Sequence, residues 1–242
     1  MRLSVDPASG RVRLTLPPRA SLKRAMAWAE EHRDWIAAQC ERLPRARPFV
    51  PGATIPIAGE EVVIDWEAGR PRTITFAPPR RRPGSSIEPP ATGPRPSPGW
   101  DEEEARLLCG GPLEGLARRI ETWLKRHALA VLTQETAEYA AKAGVTIARV
   151  SVADAKARWG SCASSGAIRY NWRLICAPPD VRRATVAHEV AHRLEMNHSP
   201  AFYAHLRRLY GADPAPARAW LKRHGAELHW IGAAGNSSED VV

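Results

Sequence analysis

The sequence predicts an α+β fold in which a small, mainly antiparallel sheet packs on one helix in the second half of the chain. Three observations carry that expectation. Leu113, Leu116, Ile120, Trp123, Leu124, Leu129 and Leu132 recur, the adjacent Trp123 and Leu124 apart, at spacings of three to five between about Asp101 and Gly144, the mark of long helix. Ile168, Tyr170, Trp172 and Leu174 alternate with Arg169, Asn171 and Arg173, the cleanest period of two in the chain and the mark of a strand. Residues 188–192 read His-Glu-Val-Ala-His inside an aliphatic run (Val186, Ala187, Val190, Ala191 and Leu194), the mark of a largely buried helix with polar groups along its edge.

The elements follow in order. Residues 1–20 alternate apolar and polar around Asp6-Pro7 and Ser9-Gly10 and read as a hairpin. Ser21 caps an amphipathic helix to about Leu43, with Leu22, Met26, Ala29, Trp35 and Ile36 as the face expected to be buried. Short strands occupy 54–76 and complete an N-terminal β-rich and helical segment, 1–76. Residues 77–100 hold eight prolines and the triplet Arg80-Arg81-Arg82, with nothing to bury, and are expected to be a flexible linker or insertion. A second domain spans 101–231. After its long helix come a strand over Val145–Val152 and a hairpin over 158–174 that turns at Ser164-Ser165-Gly166. A helix capped by Asp180 runs to about Met196, another starts at Ser199-Pro200, and a last one covers Pro214–His224. Residues 232–242 read as a disordered tail.

Of the 242 residues, 44% are hydrophobic and 25% charged, which excludes a wholly disordered chain, a collagen and a disulfide-dense mini-protein. No apolar run reaches about 18 residues, so no membrane span is expected. The opening residues lack the apolar core of a signal peptide. Cys40, Cys109, Cys162 and Cys176 lie far apart with no C-x-x-C pair, and reduced thiols in a cytoplasmic protein are expected. The formal net charge is +9, and 30 of the 35 basic residues are Arg. Such charge attracts nucleic acid or acidic ligands. Few Lys/Arg clusters here interleave aromatics, however, and a solvated Arg-rich surface is the expectation. Nothing in the pattern sets an oligomeric state.

The chemistry follows from helix geometry. His188 and His192 lie about 6 Å apart along a helix axis and about 40° apart around it, so two imidazoles on consecutive turns can meet one metal ion. Glu189 projects about 100° from His188 and about 60° from His192. It stays outside the coordination shell yet reaches a water on the metal, which suits a general base. A catalytic zinc takes a third protein ligand and keeps one position open. His198, six residues beyond His192 and just ahead of Ser199-Pro200, is the candidate. Its spacing is that of the third histidine in the metzincin pattern, with Glu195 where that pattern has Gly. Asn197 is then the residue expected to reverse the chain through a left-handed backbone. Glu195 is the rival ligand, but about 10.5 Å of helix axis separates it from His188. His205 reads as a surface or packing histidine.

Arg158-Trp-Gly-Ser-Cys162, Gly166-x-Ile168, Asn171-Trp-Arg-Leu174, Pro178-Pro179, His188–His192 and Asn197-His-Ser-Pro200 together resemble the YgjP-like metallopeptidase family, bacterial zincins related to the SprT-like peptidases. The match is strong over about residues 156–205, and the preceding elements are similar in order. The resemblance implies a zincin-like domain, zinc on His188, His192 and His198, and Glu189 as catalytic acid/base. Val190 departs from the Leu usual in the motif, one apolar residue for another, and the Pro/Arg-rich segment looks like an insertion.

Trp159 and Cys162 read as packing residues, and Gly160 as permitting a bulge or a close approach to the metal helix. In zincins an edge strand above that helix holds an extended peptide by main-chain pairing. If the 158–174 hairpin supplies the edge, Arg169, Asn171 and Arg173 line the cleft, and Tyr170 or Tyr203 is placed to stabilise an oxyanion. The expected function is hydrolysis of polypeptide with one zinc ion per chain. Two rival readings stay open: a metal-dependent nucleotide phosphoanhydride hydrolase, which suits the Arg surplus but lacks a phosphate-cradling Gly loop, and a non-catalytic zinc-stabilised module binding DNA or another partner, which leaves Glu189 without a task.

Overall fold

Arg2–Val5 (β1) and Val12–Thr15 (β2) pair antiparallel, as the alternation predicts, with Arg2 opposite Thr15 and Val5 opposite Val12. Asp6 closes the turn by accepting hydrogen bonds from the Ala8 N–H (3.0 Å) and the Ser9 hydroxyl (2.6 Å). The computed structural model describes residues 1–79 and 104–233; most of the expected linker, including Arg80, Arg81 and Arg82, and most of the expected tail lie outside the described residues.

The single helix expected after Ser21 is two, Leu22–Glu31 (α1) and Arg33–Glu41 (α2), broken at His32. The His32 Nδ1–H donates to the Trp28 carbonyl at 2.8 Å. The break turns the apolar stripe aside. Leu22 is 65% exposed, Met26 59% and Trp35 42%, and only Ala25 is closed over, which corrects the expected buried face.

Thr54–Ile57 (β3), Glu60–Trp66 (β4), Thr75–Ala77 (β5) and Arg106–Cys109 (β6) form one sheet in the order β3-β4-β6-β5. The outer pairs are antiparallel, and β4 runs parallel to β6 with Val63 opposite Arg106. Strands from both sides of the expected linker thus share a sheet. Ile55, Val62, Ile64 and Leu107 join the same buried core as Leu124, Trp172 and Val190, so one core spans the expected boundary.

The long helix is Leu116–Ala143 (α3), shorter at its start than its periodicity suggested because 106–109 is strand. It buries Ile120, Leu124, Ala128 and Leu132 and ends on Gly144 at φ 67°, the left-handed conformation that glycine adopts without a Cβ penalty. Arg149–Ala153 (β7), Gly160–Cys162 (β8) and Ala167–Asn171 (β9) make a second sheet in the order β7-β9-β8, with β7 parallel and β8 antiparallel to β9. The four-stranded sheet is thus mainly antiparallel with one parallel pair, and the three-stranded sheet, where a mainly antiparallel one was expected, has one pair of each kind.

The period of two outlasts its strand. Asn171 accepts the Arg173 N–H at 2.9 Å through its side-chain carbonyl and starts a 3₁₀ turn, Trp172–Cys176, all of it buried. Pro179–Ala191 (α4), Pro200–Tyr210 (α5) and Ala215–His229 (α6) follow. Pro178 caps α4 and Asp180 sits in its first turn rather than at the cap. α4 packs against α3, α5, α6 and β8. Arg182 on α4 is tied to Glu135 on α3 by hydrogen bonds of 2.9–3.2 Å, both side chains buried. At the far end the Trp230 indole N–H donates to the Pro7 carbonyl at 2.8 Å, and Arg47 N–H donates to the Trp230 carbonyl at 3.0 Å. No described helix is long and apolar enough to cross a membrane.

Candidate metal centre

His188 and His192 stand on consecutive turns of α4 with ring centroids 4.9 Å apart. The helix stops at Ala191, short of the expected Met196, because the Arg193 and Leu194 N–H groups bond three residues back, to Val190 and Ala191, at 2.9 Å. That tightening turns the chain and brings His198 to the pair, its ring 5.1 Å from His188 and 4.8 Å from His192. Asn197 is not left-handed; among the described non-glycine residues only Arg19 and Ala58 have positive φ. One ligand atom from each histidine lies within 4.8 Å of the others, and the Nε2 atoms of His188 and His198 are 3.1 Å apart.

Ser199 then caps α5 through the Phe202 N–H (3.2 Å), and the fully buried Phe202 ring lies 4.6–4.9 Å from all three imidazoles. Phe202 was not read from the sequence; its signal was its place as the first large apolar residue of a capped helix beside the third histidine. The His192 Nδ1–H donates to the Glu195 carbonyl at 3.3 Å, which turns Nε2 toward the cluster, an outer hydrogen bond typical of metal-binding histidines. The Glu195 carboxylate accepts from the Asn197 N–H at 3.4 Å and is not in the cluster. His205 lies apart on α5, accepting from Arg208 at 3.1 Å.

The donor set fits a divalent metal. Burial, then the neighbouring His192 and His198, then Arg218 push the His188 pKa down to about 4, and burial lowers that of His192, so both rings are neutral with free lone pairs at neutral pH. Metal–nitrogen bonds of about 2.0–2.1 Å in a tetrahedral site place two ligand atoms about 3.3 Å apart, close to the His188–His198 separation. Glu189 is 5% exposed and lies against β8. Burial pushes its carboxyl up to about 7, with Arg158 pulling the other way. A carboxyl poised near neutrality beside the neutral imidazoles of His188 and His192 can take a proton from one group and pass it to another.

The YgjP-like metallopeptidase domain model matches residues 1–224. The chain belongs to the YgjP-like metallopeptidase family. No curated protein and no solved structure matches it. Membership points to a metal-dependent peptidase, and among the described residues the His188–His192–His198 triad is the cluster that could hold its metal.

In this YgjP-like domain the expected substrate residues separate. Asn171 is buried, and its Nδ2–H donates to the Ala155 carbonyl at 2.8 Å. Arg173 is buried, paired with Asp154, and donates to the Ile231 carbonyl at 3.3 Å. Both brace loops and neither lines the cleft, because the chain leaves the sheet at Asn171 instead of continuing as strand. Arg169 is exposed, but it lines a concavity with Arg149, Ser151 and Ser161 that holds none of the three histidines. Tyr170 is buried with its hydroxyl 3.0 Å from that of Thr136, inside the core. Tyr203 stays near the cluster, half-buried, with its ring 6.3 Å from His198 and the Arg218 guanidinium 5.5 Å from its centroid. The sheet edge next to α4 is β8, which among the described residues pairs with β9 alone.

Proposed function

We propose that this chain is a zinc-dependent peptidase of the zincin type, cleaving polypeptide with Glu189 as general base. The observation that carries the reading is the convergence of three imidazoles within 4.8 Å beside a buried carboxyl held near neutrality. His188, His192 and His198 would hold the zinc ion, which would supply Lewis acidity toward the scissile carbonyl and a water with its pKa lowered to about 7. Glu189 takes that water's proton on its carboxylate and returns it to the leaving amine nitrogen, ending the cycle as it began. Phe202 and the Glu195 carbonyl hold the rings in one orientation. Tyr203 can donate its phenolic hydrogen to the developing oxyanion. The free side of β8 offers main-chain groups to an extended substrate. Four free cysteines support a reducing, cytoplasmic setting.

Elemental analysis of the as-purified protein, paired with hydrolysis of an unfolded polypeptide, tests this reading. About one zinc per chain is expected. Glu189→Gln is expected to keep the metal and lose hydrolysis; retained hydrolysis removes Glu189 from the mechanism. Turnover of nucleoside triphosphates in place of polypeptide would transfer the same site to phosphoanhydride chemistry.

A further inference from the structure

Beside His188 and Glu189 the structure holds a concavity of about 210 Å³ that the proton transfers do not use. Its apolar wall comes from four places in the chain: Trp159 just before β8, Ala184 on α4, Leu206 on α5, and Pro214, Ala217 and Leu221 at and along α6. Ala184, Leu206 and Ala217 are buried, so the wall is part of the packed core. Trp159 is fixed from behind. It stacks on His229 with centroids 5.0 Å apart, and a Cβ at Gly225 would lie 3.0 Å from its Cζ2. The concavity is therefore preformed.

Its size sets what it can take. A dry cavity of about 150 Å³ admits benzene, whereas sites for drug-sized ligands start at about 300 Å³. This one holds a single large side chain. Arg218 stands among the lining residues, exposed and close enough to depress His188, and no carboxylate pairs with it among the described residues. That cation works against a Lys or Arg side chain entering. Successive Cα atoms of a peptide are about 3.8 Å apart. A carbonyl held at the histidines therefore carries a neighbouring side chain to the mouth of this concavity.

We propose that the concavity is the subsite for one bulky apolar side chain, of the Leu, Met or Phe class, on a residue flanking the scissile bond. The assignment rests on the peptidase reading and names the substrate class. Burying such a side chain in place of Ala favours binding by about tenfold to a hundredfold.

The test uses the zinc-loaded Glu189→Gln protein and blocked hexapeptides with each position varied in turn among Leu, Met, Phe, Ala and Lys, with affinity read by calorimetry. At one position Leu, Met or Phe is expected to bind at least about tenfold more tightly than Ala, and Lys more weakly than Ala. Leu221→Ala, at a half-buried position, widens the wall and is expected to move the preference toward Trp. Ala217→Leu, checked for folding by its melting curve, narrows the wall and is expected to move the preference toward Ala. Equal affinities for Leu and Ala at every position, a profile unchanged by Leu221→Ala, or no binding of any peptide would overturn the subsite. Cleavage by the zinc-loaded wild type is scored separately. Cleavage without apolar preference sinks the subsite alone, whereas selective binding without cleavage sinks the peptidase reading, and with it the place beside a scissile bond, and leaves only the concavity's preference for an apolar side chain.

Discussion

A Cβ on Gly160 would stand 2.4 Å from Oε1 of Glu189, closer than real side chains approach. The backbone of β8 therefore rests directly on the carboxyl that the proposed mechanism depends on. Gly160→Ala must displace either the strand or Glu189. Misplacing a reacting group by about 1 Å costs on the order of 100-fold in rate. Hydrolysis by Gly160→Ala is expected to fall by about that factor while zinc content stays at the wild-type level. Parallel loss of metal would mean that the substitution disturbs the triad instead.

Phe202 underlies all three histidines, so Phe202→Ala should loosen packing and metal site together. Removing a fully buried Phe costs about 3–5 kcal/mol. Urea unfolding in the presence of a chelator reads the packing loss alone. Competition for zinc with a chromophoric chelator then reads the weaker hold on the ion, and an unchanged zinc affinity would show that the rings keep their positions without this floor.

The Arg182–Glu135 pair fastens α4 to α3 away from solvent. Breaking one partner of a buried pair costs about 3–5 kcal/mol, because the other charge is left without compensation. Glu135→Leu is expected to lower the unfolding midpoint accordingly. The double variant Glu135→Leu, Arg182→Met should recover most of the loss, since well-packed apolar replacements of such pairs are often neutral. Equal destabilisation by the single and double variants would assign the role to local packing.

Stability should also fall in mild acid through His229. Burial pushes its pKa down to about 4, with Lys156 and Arg173 adding to the shift, and its buried Nδ1 has no hydrogen-bond partner among the described residues. In the unfolded chain the ring titrates near pH 6.5. Between about pH 6.5 and pH 4 the unfolded state therefore binds more protons, and stability declines as pH falls through that window. Above about pH 7 both states are neutral and this contribution is flat. Denaturation midpoints measured from pH 4 to 7.5 are expected to slope less for His229→Gln than for wild type. Identical slopes would rule out this histidine as the source.

The triad was legible because its logic is local: the step of four positions from His188 to His192 fixes two rings on one helix face whatever surrounds them. His198 was legible from the Ser199-Pro200 start of the next helix, although the turn that delivers it is a tightened helix end and not a left-handed Asn197. Asn171 and Arg173 were misread for a different reason. A buried 3₁₀ turn after a strand carries the same apolar residues as more strand, and only the side-chain bond from Asn171 to the Arg173 N–H distinguishes them. The parallel pairing of β4 with β6 and of β7 with β9 leaves no local mark, since register between distant segments is set by packing. The stripe on α1 and α2 was read as buried because amphipathic spacing shows which residues share a face, not what the face meets.

The bond from the Trp230 indole to the Pro7 carbonyl joins positions 223 residues apart, next to the end of α6 that supports Trp159 through His229. The polypeptide is laced shut at this seam. Trimming the opening hairpin, or crowding it with an affinity tag, should therefore alter which peptides are accepted, although no residue of the hairpin lines the concavity.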